Sequence, residues 1–354
     1  MSVLFFDLKG TVLRDMDSYE RHVLYAKLYE NETNGEKSAI LTYLPSIPNY
    51  CNSSSLEIIN LRSVDIVRNF LKIRTYDFIV LGDPFFKPLQ FRLLKILGFI
   101  RKKSRVQIQF HGDFFDKSWR MTLRNKIKYL LLKFNLSVAY NFRFVSKMQY
   151  KNFLLDCNLR KQFVIAPIAI FMNQELDLPV YSKRDNSVGF LGRLEEDRGV
   201  LTLIDILKTI DFDTPLKFYI AGYGKYEKDI KNVIIEKNLQ KNVFYMGKKS
   251  KNAIEEFWSK IGVLLNLAPQ ESYGLSMREA LVRGVPVISK ENSGAFEILE
   301  DFPKSPIMFL KNHHYEHLLD QIVVACNKKT NKEFNIWQKE RDAVNLNNLV
   351  RSWQ

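Results

Sequence analysis

Short apolar runs alternate with amphipathic stretches along the whole chain. The apolar runs have the length and turn-forming boundaries of buried strands, and hydrophobic positions recur with helical spacing between them. Such alternation is typical of doubly wound parallel sheets, so the predicted fold class is α/β. The predicted strands of the first half are Ser2–Phe6, Ile40–Tyr43, Phe78–Leu81, Val106–Phe110, Phe142–Val145 and Phe163–Ile165. The predicted helices there are Ser18–Glu30, Val64–Ile73, Pro88–Leu97, Trp119–Lys133 and Met148–Asp156.

A polar, proline-containing segment at residues 171–186 interrupts the alternation, and we expect it to be a linker. The pattern therefore predicts two Rossmann-like domains, at residues 1–170 and 187–330, followed by a charged helix at 331–354. The predicted strands of the second domain are Ser187–Leu191, Leu216–Ile220, Val243–Tyr245, Ile261–Leu267 and Val285–Ile288.

The composition fits this architecture. With 354 residues, 46% of them hydrophobic, the chain can form two ordinary cores. No apolar run approaches the ~18 residues of a membrane span, and the apolar start Ser2–Phe6 is too short for a signal peptide. Three scattered cysteines indicate a reducing cytoplasm and lack the spacing of a metal site.

The net charge of +14 is concentrated in the first half of the chain. Between Lys87 and Lys133 there are 13 basic residues and two acidic ones, interleaved with apolar and aromatic side chains. Such a face attracts an anionic membrane surface, which we expect to be its partner. Two alternatives stay open: ordinary amphipathic helices whose lysine stems cover the core edge, and a nucleic-acid surface, which we disfavour.

Two glutamates separated by seven residues, Glu271 and Glu279, lie between the apolar runs Ile261–Leu267 and Val285–Ile288. The pattern predicts strand, tight loop, helix and strand, at the sheet edge where open α/β folds bind ligands. The helix is expected to open with Ser272–Leu275, and N–H groups at a helix start bind phosphate. Because carboxylates accept hydrogen bonds from hydroxyl groups, the ligand is expected to be part phosphate and part polyol, as a nucleotide sugar is.

A second candidate string, Gly192–Gly199, follows the predicted strand Ser187–Leu191. It contains Arg193 and Arg198, five positions apart, beside a helix start. Two arginines at the carboxyl end of a strand can hold a diphosphate, because each planar guanidinium can bond two phosphate oxygens. Taken alone, the string could also be an ordinary surface loop of mixed charge.

Together these strings resemble the donor-site signature of the family 4 retaining glycosyltransferases, which have the two-domain GT-B fold. The string from Glu271 to Ser289 carries most of the resemblance. Gly192–Gly199 is similar to the family's G-R-x4-K-G, with Arg198 where lysine is usual. The resemblance implies two Rossmann-like domains facing one another across a cleft, with a last helix that returns to the first domain.

In the first domain the resemblance points to two places. His111 ends the predicted strand Val106–Phe110, at the family's position for a contact with the transferred sugar; a lone histidine is by default a buried structural one. The family's glycine pair after the first strand is replaced here by Asp17 and Ser18, so Gly10 or Ser18 is expected to take its role near the diphosphate.

The resemblance thus implies a set of site residues. The implied catalytic residues are His111, Arg193, Arg198 and Glu271. The implied donor-binding residues are Gly10, Gly192, Met246, Gly247, Lys248, Ser272, Tyr273, Gly274, Leu275 and Glu279, with the nucleotide base against Met246–Lys248 and the ribose on Glu279.

The implied reaction is the transfer of a hexose from a UDP- or GDP-sugar to a hydroxyl of a glycan, with retention at the anomeric carbon. We expect no metal and no cofactor, because no acidic pair is placed for a metal ion. The basic first domain suggests a lipid-linked acceptor, and the Lys-, Asn-, Ile- and Phe-rich composition suggests a bacterial source. The expected role is assembly of O-antigen, capsule or lipopolysaccharide by a cytoplasmic enzyme held peripherally at the inner face of the plasma membrane.

Two rival functions remain. A GT-B sugar-nucleotide epimerase has a similar donor site but forms its product without an acceptor. A nucleic-acid-binding protein would use the basic face of residues 87–133, and its binding would depend strongly on salt.

Overall fold

The computed structural model describes residues 2–63, 65–115, 118–157, 159, 161–171, 178–181, 186–209, 216–250, 253–310, 317–327 and 332–354. The chain divides into two compact units. One comprises Met1–Met172 with Asp342–Gln354, and the other comprises Asn173–Arg341. Residues 172–177 and 182–185 of the predicted linker lie outside the described residues.

The first unit contains a parallel sheet of seven described strands. They are β1 Val3–Phe6, β2 Ser38–Thr42, β3 Leu56–Asn60, β4 Phe78–Leu81, β5 Arg105–Phe110, β6 Asn141–Phe144 and β7 Gln162–Ile165. The strand order is β3-β2-β1-β4-β5-β6-β7, and it reverses between β1 and β4. Strands β1, β2, β4 and β6 are buried along their whole length; β1 and β4 are apolar throughout, whereas β6 also buries Asn141 and Arg143.

Helices cover this sheet. They are α1 Met16–Glu32, α2 Ile66–Ile73, α3 Lys87–Ile96, α4 Leu123–Asn135 and α5 Lys147–Asp156. The predicted helix Trp119–Lys133 is divided: a 3-10 turn at Ser118–Met121 precedes α4. The division occurs at Thr122, whose extended backbone lets its side chain accept the N–H of Asn125 and start a new helix.

The second unit contains a parallel sheet of six described strands. They are β8 Ser187–Leu191, β9 Lys217–Ala221, β10 Val243–Gly247, β11 Val263–Asn266, β12 Val287–Ser289 and β13 Ile307–Phe309. The order is β10-β9-β8-β11-β12-β13, so the α/β prediction of doubly wound sheets is confirmed. The helices are α6 Val200–Thr209, α7 Glu227–Glu236, α8 Ile254–Lys260, α9 Leu275–Val282, α10 Ser293–Asp301, α11 Leu318–Cys326 and α12 Lys332–Arg351.

The sequence pattern missed β3 and β13. Each is an edge strand of its sheet. In β3, buried positions are mixed with exposed and half-buried ones, so the segment never forms a continuous apolar run. β13 has only three residues, two of them half-buried. A half-covered, short strand does not carry the hydrophobic signal by which the buried strands were found.

The last helix, α12, contributes to both units: its residues up to Arg341 belong to the second and those from Asp342 to the first. In the first unit, the buried Asp342 carboxylate accepts the N–H groups of Ile170 and Phe171 at 2.8 and 3.0 Å. Trp353, fully buried, donates to Gln107 Oε1 over 2.9 Å. These bonds explain why the chain end is ordered as part of the first core.

Candidate functional site

The sheet order of the second unit reverses between β8 and β11, which pair directly with each other. At such a reversal the loops after the two strands diverge, and the crevice between them is the usual ligand site of an open parallel sheet. Arg193 and Arg198 follow β8, whereas Glu271 and Glu279 follow β11. Both strings that the sequence singled out therefore lie at the same reversal point.

Arg198 and Glu271 are in direct contact. Nη1 of Arg198 donates to Oε2 of Glu271 over 2.6 Å. The side chain of Glu271 is 14% exposed and that of Arg198 is 35% exposed, so the carboxylate is largely enclosed and the cation is partly open to solvent. The guanidinium therefore keeps a solvent-facing part that an anion can reach, while its Nη1 is held by Glu271.

Arg193 joins the same charge cluster through Asp197. Nη2 of Arg193 donates to Asp197 Oδ2 over 2.7 Å, and Nε of Arg198 lies 3.7 Å from that same oxygen. The two predicted clamp residues are thus gathered around one carboxylate oxygen. More than half of the Arg193 side chain is exposed, which leaves it available to a ligand.

The loop between Glu271 and α9 is built for close backbone packing. Gly274 has a left-handed backbone, and its N–H donates to Glu271 Oε1 over 3.3 Å. The N–H of Gly294 donates to the Glu271 carbonyl over 2.7 Å. A Cβ on Gly294 would lie 2.8 Å from the Gly274 nitrogen, so only glycine lets α10 approach this loop.

Helix α9 begins at this loop with Leu275, and its N-cap is Gly274, which has no side chain to accept the first-turn N–H groups. Ser272 and Tyr273 are buried just before it. An uncapped helix start offers its N–H groups and the positive end of its dipole to an anion. Glu279 is half-buried in the second turn, and its carbonyl accepts Nη1 of Arg283 over 2.9 Å.

A buried arginine beneath the loop was missed by sequence reasoning. Arg278 is fully buried in α9; its Nε donates to the Tyr273 carbonyl over 3.1 Å and its Nη1 to Gln338 Oε1 over 3.0 Å. Its guanidinium lies 4.2 Å from the Tyr273 ring centroid, and burial lowers its pKa from the ordinary value. Arg278 therefore ties the loop to α9 and α12. In the sequence it looks like any surface cation on a helix.

The predicted base-binding segment ends β10. The N–H of Gly222 donates to the Gly247 carbonyl over 2.9 Å, and the hydroxyl of Tyr245 donates to the Gly222 carbonyl, also over 2.9 Å. The ammonium of Lys248 lies 4.9 Å from the ring centroid of Tyr223.

Gly192, which opens the loop after β8, adjoins this segment through β9. Its N–H donates to the Ala221 carbonyl over 3.1 Å. A Cβ on Gly192 would meet no heavy atom within 4 Å, so space is open beside it. The structure thus places Gly192 directly after β8 and Met246–Lys248 at the end of β10, on the two strands that flank β9.

In the first unit, the predicted ligand glycine has an internal role. Gly10 has a left-handed backbone with φ of 65°, and its N–H donates to the Asp7 carbonyl over 2.8 Å. The buried Asp7 carboxylate organises the same turn by accepting from Thr11 Oγ1 and the Val12 N–H. Lys87 Nζ lies 3.5 Å from Asp7 Oδ1, across the reversal between β1 and β4. The Gly10 amide is therefore occupied, and its contact with a donor stays a prediction.

His111 immediately follows β5 and is exposed, rather than buried as a structural histidine would be. Its pKa is lowered, first by desolvation and then by the positive charges of Arg143 and Arg21. A neutral imidazole can either donate or accept a hydrogen bond with a sugar hydroxyl.

The described part of the chain has neither a metal-binding cluster of side chains nor a membrane-spanning helix. No group of three or more His, Cys, Asp or Glu side chains there could hold a metal ion. No helix among the same residues combines the length and the apolar character needed to cross a membrane.

Comparison with known proteins agrees with this geometry. Residues 178–329 match the family model described as glycosyl transferases group 1. An uncharacterized glycosyltransferase of Methanocaldococcus jannaschii is 26% identical over 292 residues, 82% of this chain and 76% of that protein. The poly(ribitol-phosphate) alpha-N-acetylglucosaminyltransferase of Staphylococcus aureus is 26% identical over 231 residues, 64% of this chain and 44% of that protein.

Among solved structures, Anabaena HepE in complex with UDP and glucose superposes with a TM-score of 0.71. The alignment covers 99% of this chain and 98% of that one at 14% sequence identity, so the likeness concerns the fold. The architecture of two doubly wound parallel sheets is therefore that of the GT-B fold. The sequence similarity to the group 1 glycosyltransferases spans residues 178–329, within the second compact unit.

Proposed function

We propose that the chain is a glycosyltransferase that moves a hexose from a UDP- or GDP-sugar to a hydroxyl group of a glycan, with retention at the anomeric carbon and without a metal ion. The observation that carries the proposal is the cluster of Arg193, Arg198 and Glu271 at the sheet reversal, beside the uncapped start of α9. This cluster combines a place for a diphosphate with a carboxylate for hydroxyl groups.

The proposed chemistry follows from where charge develops. When the bond between the anomeric carbon and the diphosphate oxygen breaks, negative charge grows on the diphosphate. Arg193 and Arg198 neutralise it, as the N–H groups at Ser272–Leu275 also do, and their contribution is larger in the transition state than in the ground state. No metal is required because these cations and dipoles take the place that a divalent ion would have.

The carboxylates are assigned to hydroxyl groups. Glu271 orients the sugar through the oxygen that is not bonded to Arg198, and Glu279 accepts from the ribose. The base is assigned to Met246–Lys248, beside Gly192. His111 is assigned to the transferred sugar by the family resemblance, and its accessible, neutral imidazole suits that role.

The acceptor is proposed to be a lipid-linked glycan of a bacterial surface polysaccharide such as O-antigen, capsule or lipopolysaccharide. The enzyme would then act in the cytoplasm, peripherally at the inner face of the plasma membrane. The name of the Staphylococcus aureus relative gives poly(ribitol-phosphate) as the acceptor of that protein, which supports a glycan or polyol polymer as the acceptor here. The basic first half of this chain supports an acceptor carried on an anionic membrane.

The test is a transfer assay with UDP-glucose, UDP-galactose, UDP-N-acetylglucosamine and GDP-mannose, in EDTA, with and without a bacterial lipid extract. We expect one labelled sugar to enter the extract, and NMR of the product to show the anomeric configuration of the donor. Conversion of the donor without any acceptor would identify an epimerase instead. An absolute need for a divalent ion, or an inverted product, would contradict the proposed mechanism.

A further inference from the structure

Helix α4 exposes an apolar stripe. Leu123, Ile127, Leu130 and Phe134 follow one another at intervals of four, three and four residues, and between 59% and 74% of each is exposed. The opposite face of the helix carries Leu132, which is fully buried. Single exposed apolar side chains are ordinary, but a continuous stripe at helical spacing marks an interaction surface.

Helix α3 continues this surface. Nη2 of Arg92 donates to the Phe134 carbonyl over 3.2 Å and to Ser137 Oγ over 2.8 Å, and its guanidinium lies 4.6 Å from the Phe134 ring centroid. Arg92 therefore links α3 to the carboxyl end of α4, where Phe134 ends the stripe. The exposed apolar residues of both helices and the turns before and after them are Phe86, Leu93, Ile96, Leu97, Met121, Leu123, Ile127, Leu130 and Phe134, which we call the α3–α4 face.

Cations accompany the apolar residues. Arg124 and Lys126 are exposed on α4 beside the stripe, and Lys102 and Lys103 are exposed after α3. Within the described ranges of the chain, no carboxylate lies within ion-pair distance of Arg124 or Lys126. A surface that combines unpaired cations with an apolar stripe is complementary to anionic headgroups above acyl chains. A second copy of the same face would instead bring like charges together.

We propose that the α3–α4 face docks on an anionic membrane, with the α4 stripe at the boundary between headgroups and acyl chains and with Arg124 and Lys126 on lipid phosphates. This deepens the proposed function and rests on it, because a lipid-linked acceptor then lies beside the enzyme. Helix α3 follows β4, and α4 follows β5 through the loop that begins at His111. The docking face therefore starts at the same sheet edge as His111.

Vesicle flotation tests this proposal, using phosphatidylcholine alone or mixed with phosphatidylglycerol. The full-length wild type is compared with Ile127→Ser/Leu130→Ser and with Arg124→Gln/Lys126→Gln. The matched control is Ile235→Ser/Ile336→Ser, whose side chains are 62% and 60% exposed, against 60% and 69% at Ile127 and Leu130. All four positions of the serine variants lie on helix surfaces, so the folds should be equally preserved.

We expect the wild type and the control to float only with phosphatidylglycerol vesicles, and less so at high salt. The charge variant should partition about thirtyfold more weakly, since each cation contributes about 1 kcal/mol near such a surface. The serine variant should lose at least as much. Equal flotation of all four proteins, or no flotation of the wild type, would overturn the proposal. So would a wild-type dimer that the serine variant converts to monomer, or binding of RNA in place of vesicles.

Nucleotide-induced thermal shifts on the same samples separate this inference from the proposed function. If nucleotides bind but vesicles do not, the docking inference fails alone. If vesicles bind but no nucleotide sugar is bound or used, the proposed function fails. The serine variant should keep the wild-type rate on a water-soluble acceptor and lose rate only on acceptor embedded in vesicles.

Discussion

Arg198 donates to Glu271 over 2.6 Å, although the two residues are 73 positions apart in the chain. The contact is possible because β8 and β11 are neighbours, so that side chains on the loops after both strands border the same crevice. A cation predicted to hold diphosphate is thereby placed against a carboxylate predicted to hold sugar. The two parts of a nucleotide-sugar donor have adjacent partners, and a donor must compete with Glu271 for Arg198.

Two substitutions of Arg198 distinguish the contribution of its positive charge from that of its planar guanidinium. Arg198→Gln should lower kcat/KM by about 10²–10³-fold, because it removes one cation from the developing diphosphate charge. Arg198→Lys should stay within about tenfold of the wild type, because it keeps the charge while losing the planar fork. Steady-state kinetics with the preferred donor measures both. If the two variants are equally impaired, the charge is not what matters at this position.

Replacing Glu271 should preserve or strengthen the binding of the nucleoside diphosphate but slow the transfer of the sugar. Glu271→Gln frees Arg198 from its ion pair, so the nucleoside diphosphate alone should bind as tightly as to the wild type or up to about fivefold more tightly. Sugar transfer should fall by at least about a hundredfold, because the sugar loses a charged hydrogen-bond acceptor. Calorimetry and turnover on the same preparation provide the comparison. Weaker nucleotide binding together with normal turnover would refute the assigned roles.

The ribose assignment of Glu279 can be tested with altered nucleotides. Glu279→Ala should weaken nucleotide binding by about 10- to 150-fold, the value of a hydrogen bond to a charged group. The wild type should discriminate against the 2′-deoxy or 3′-deoxy nucleotide, and Glu279→Ala should not. Glu236→Ala, at an exposed position on α7, is the control. Discrimination that persists in Glu279→Ala would place the ribose elsewhere.

Substitution of Gly294 tests the close packing of α10 against the loop between Glu271 and α9. In Gly294→Ala the new methyl group would lie 2.8, 3.0 and 3.1 Å from backbone atoms of Gly274, Tyr273 and Glu271. The loop must shift, so we expect a loss of stability of about 1–3 kcal/mol and weaker nucleotide binding. Ser293→Ala, one residue earlier in α10, adds no atom to this contact and should behave as the wild type. Thermal melting and calorimetry distinguish the two.

Because of His22, we expect the stability of the first unit to depend on pH. Burial lowers its pKa to about 4 from an ordinary 6.5. Its neutral ring contacts the Ser18 carbonyl through Nδ1 at 2.7 Å and packs edge-on against Phe5. His22 takes up a proton at higher pH in the unfolded chain than in the folded one. Its contribution to the free energy of unfolding is therefore fully present above pH 6.5 and is lost as the pH falls towards 4. By pH 4 this loss in the free energy of unfolding should reach about 3 kcal/mol.

Urea unfolding of the wild type and His22→Gln between pH 7 and pH 4 isolates this contribution. The stability advantage of the wild type over His22→Gln should shrink steadily as the pH falls. Parallel pH profiles for the two proteins would show that His22 is not held neutral in the folded state.

Some strands and site residues could be predicted from the sequence, and others could not. Buried strands such as β1 and β4 were predictable because both of their faces are apolar, and the edge strands β3 and β13 were not, because they are half-covered. Arg193, Arg198 and Glu271 could be singled out because phosphate and hydroxyl recognition need those side-chain types. The buried role of Arg278 could not, because its partners Tyr273 and Gln338 are set by packing rather than by local sequence.

The measurement that tests the central claim most directly is titration calorimetry in EDTA with UDP, GDP and their sugars, on wild type and on Arg198→Gln and Glu279→Ala. The account predicts that one nucleotide series binds without metal, and that each substitution weakens its binding at least about tenfold while leaving the melting temperature nearly unchanged. Absence of binding to any nucleotide by the folded wild type, or unchanged affinity in both variants, would contradict a donor site at the reversal between β8 and β11.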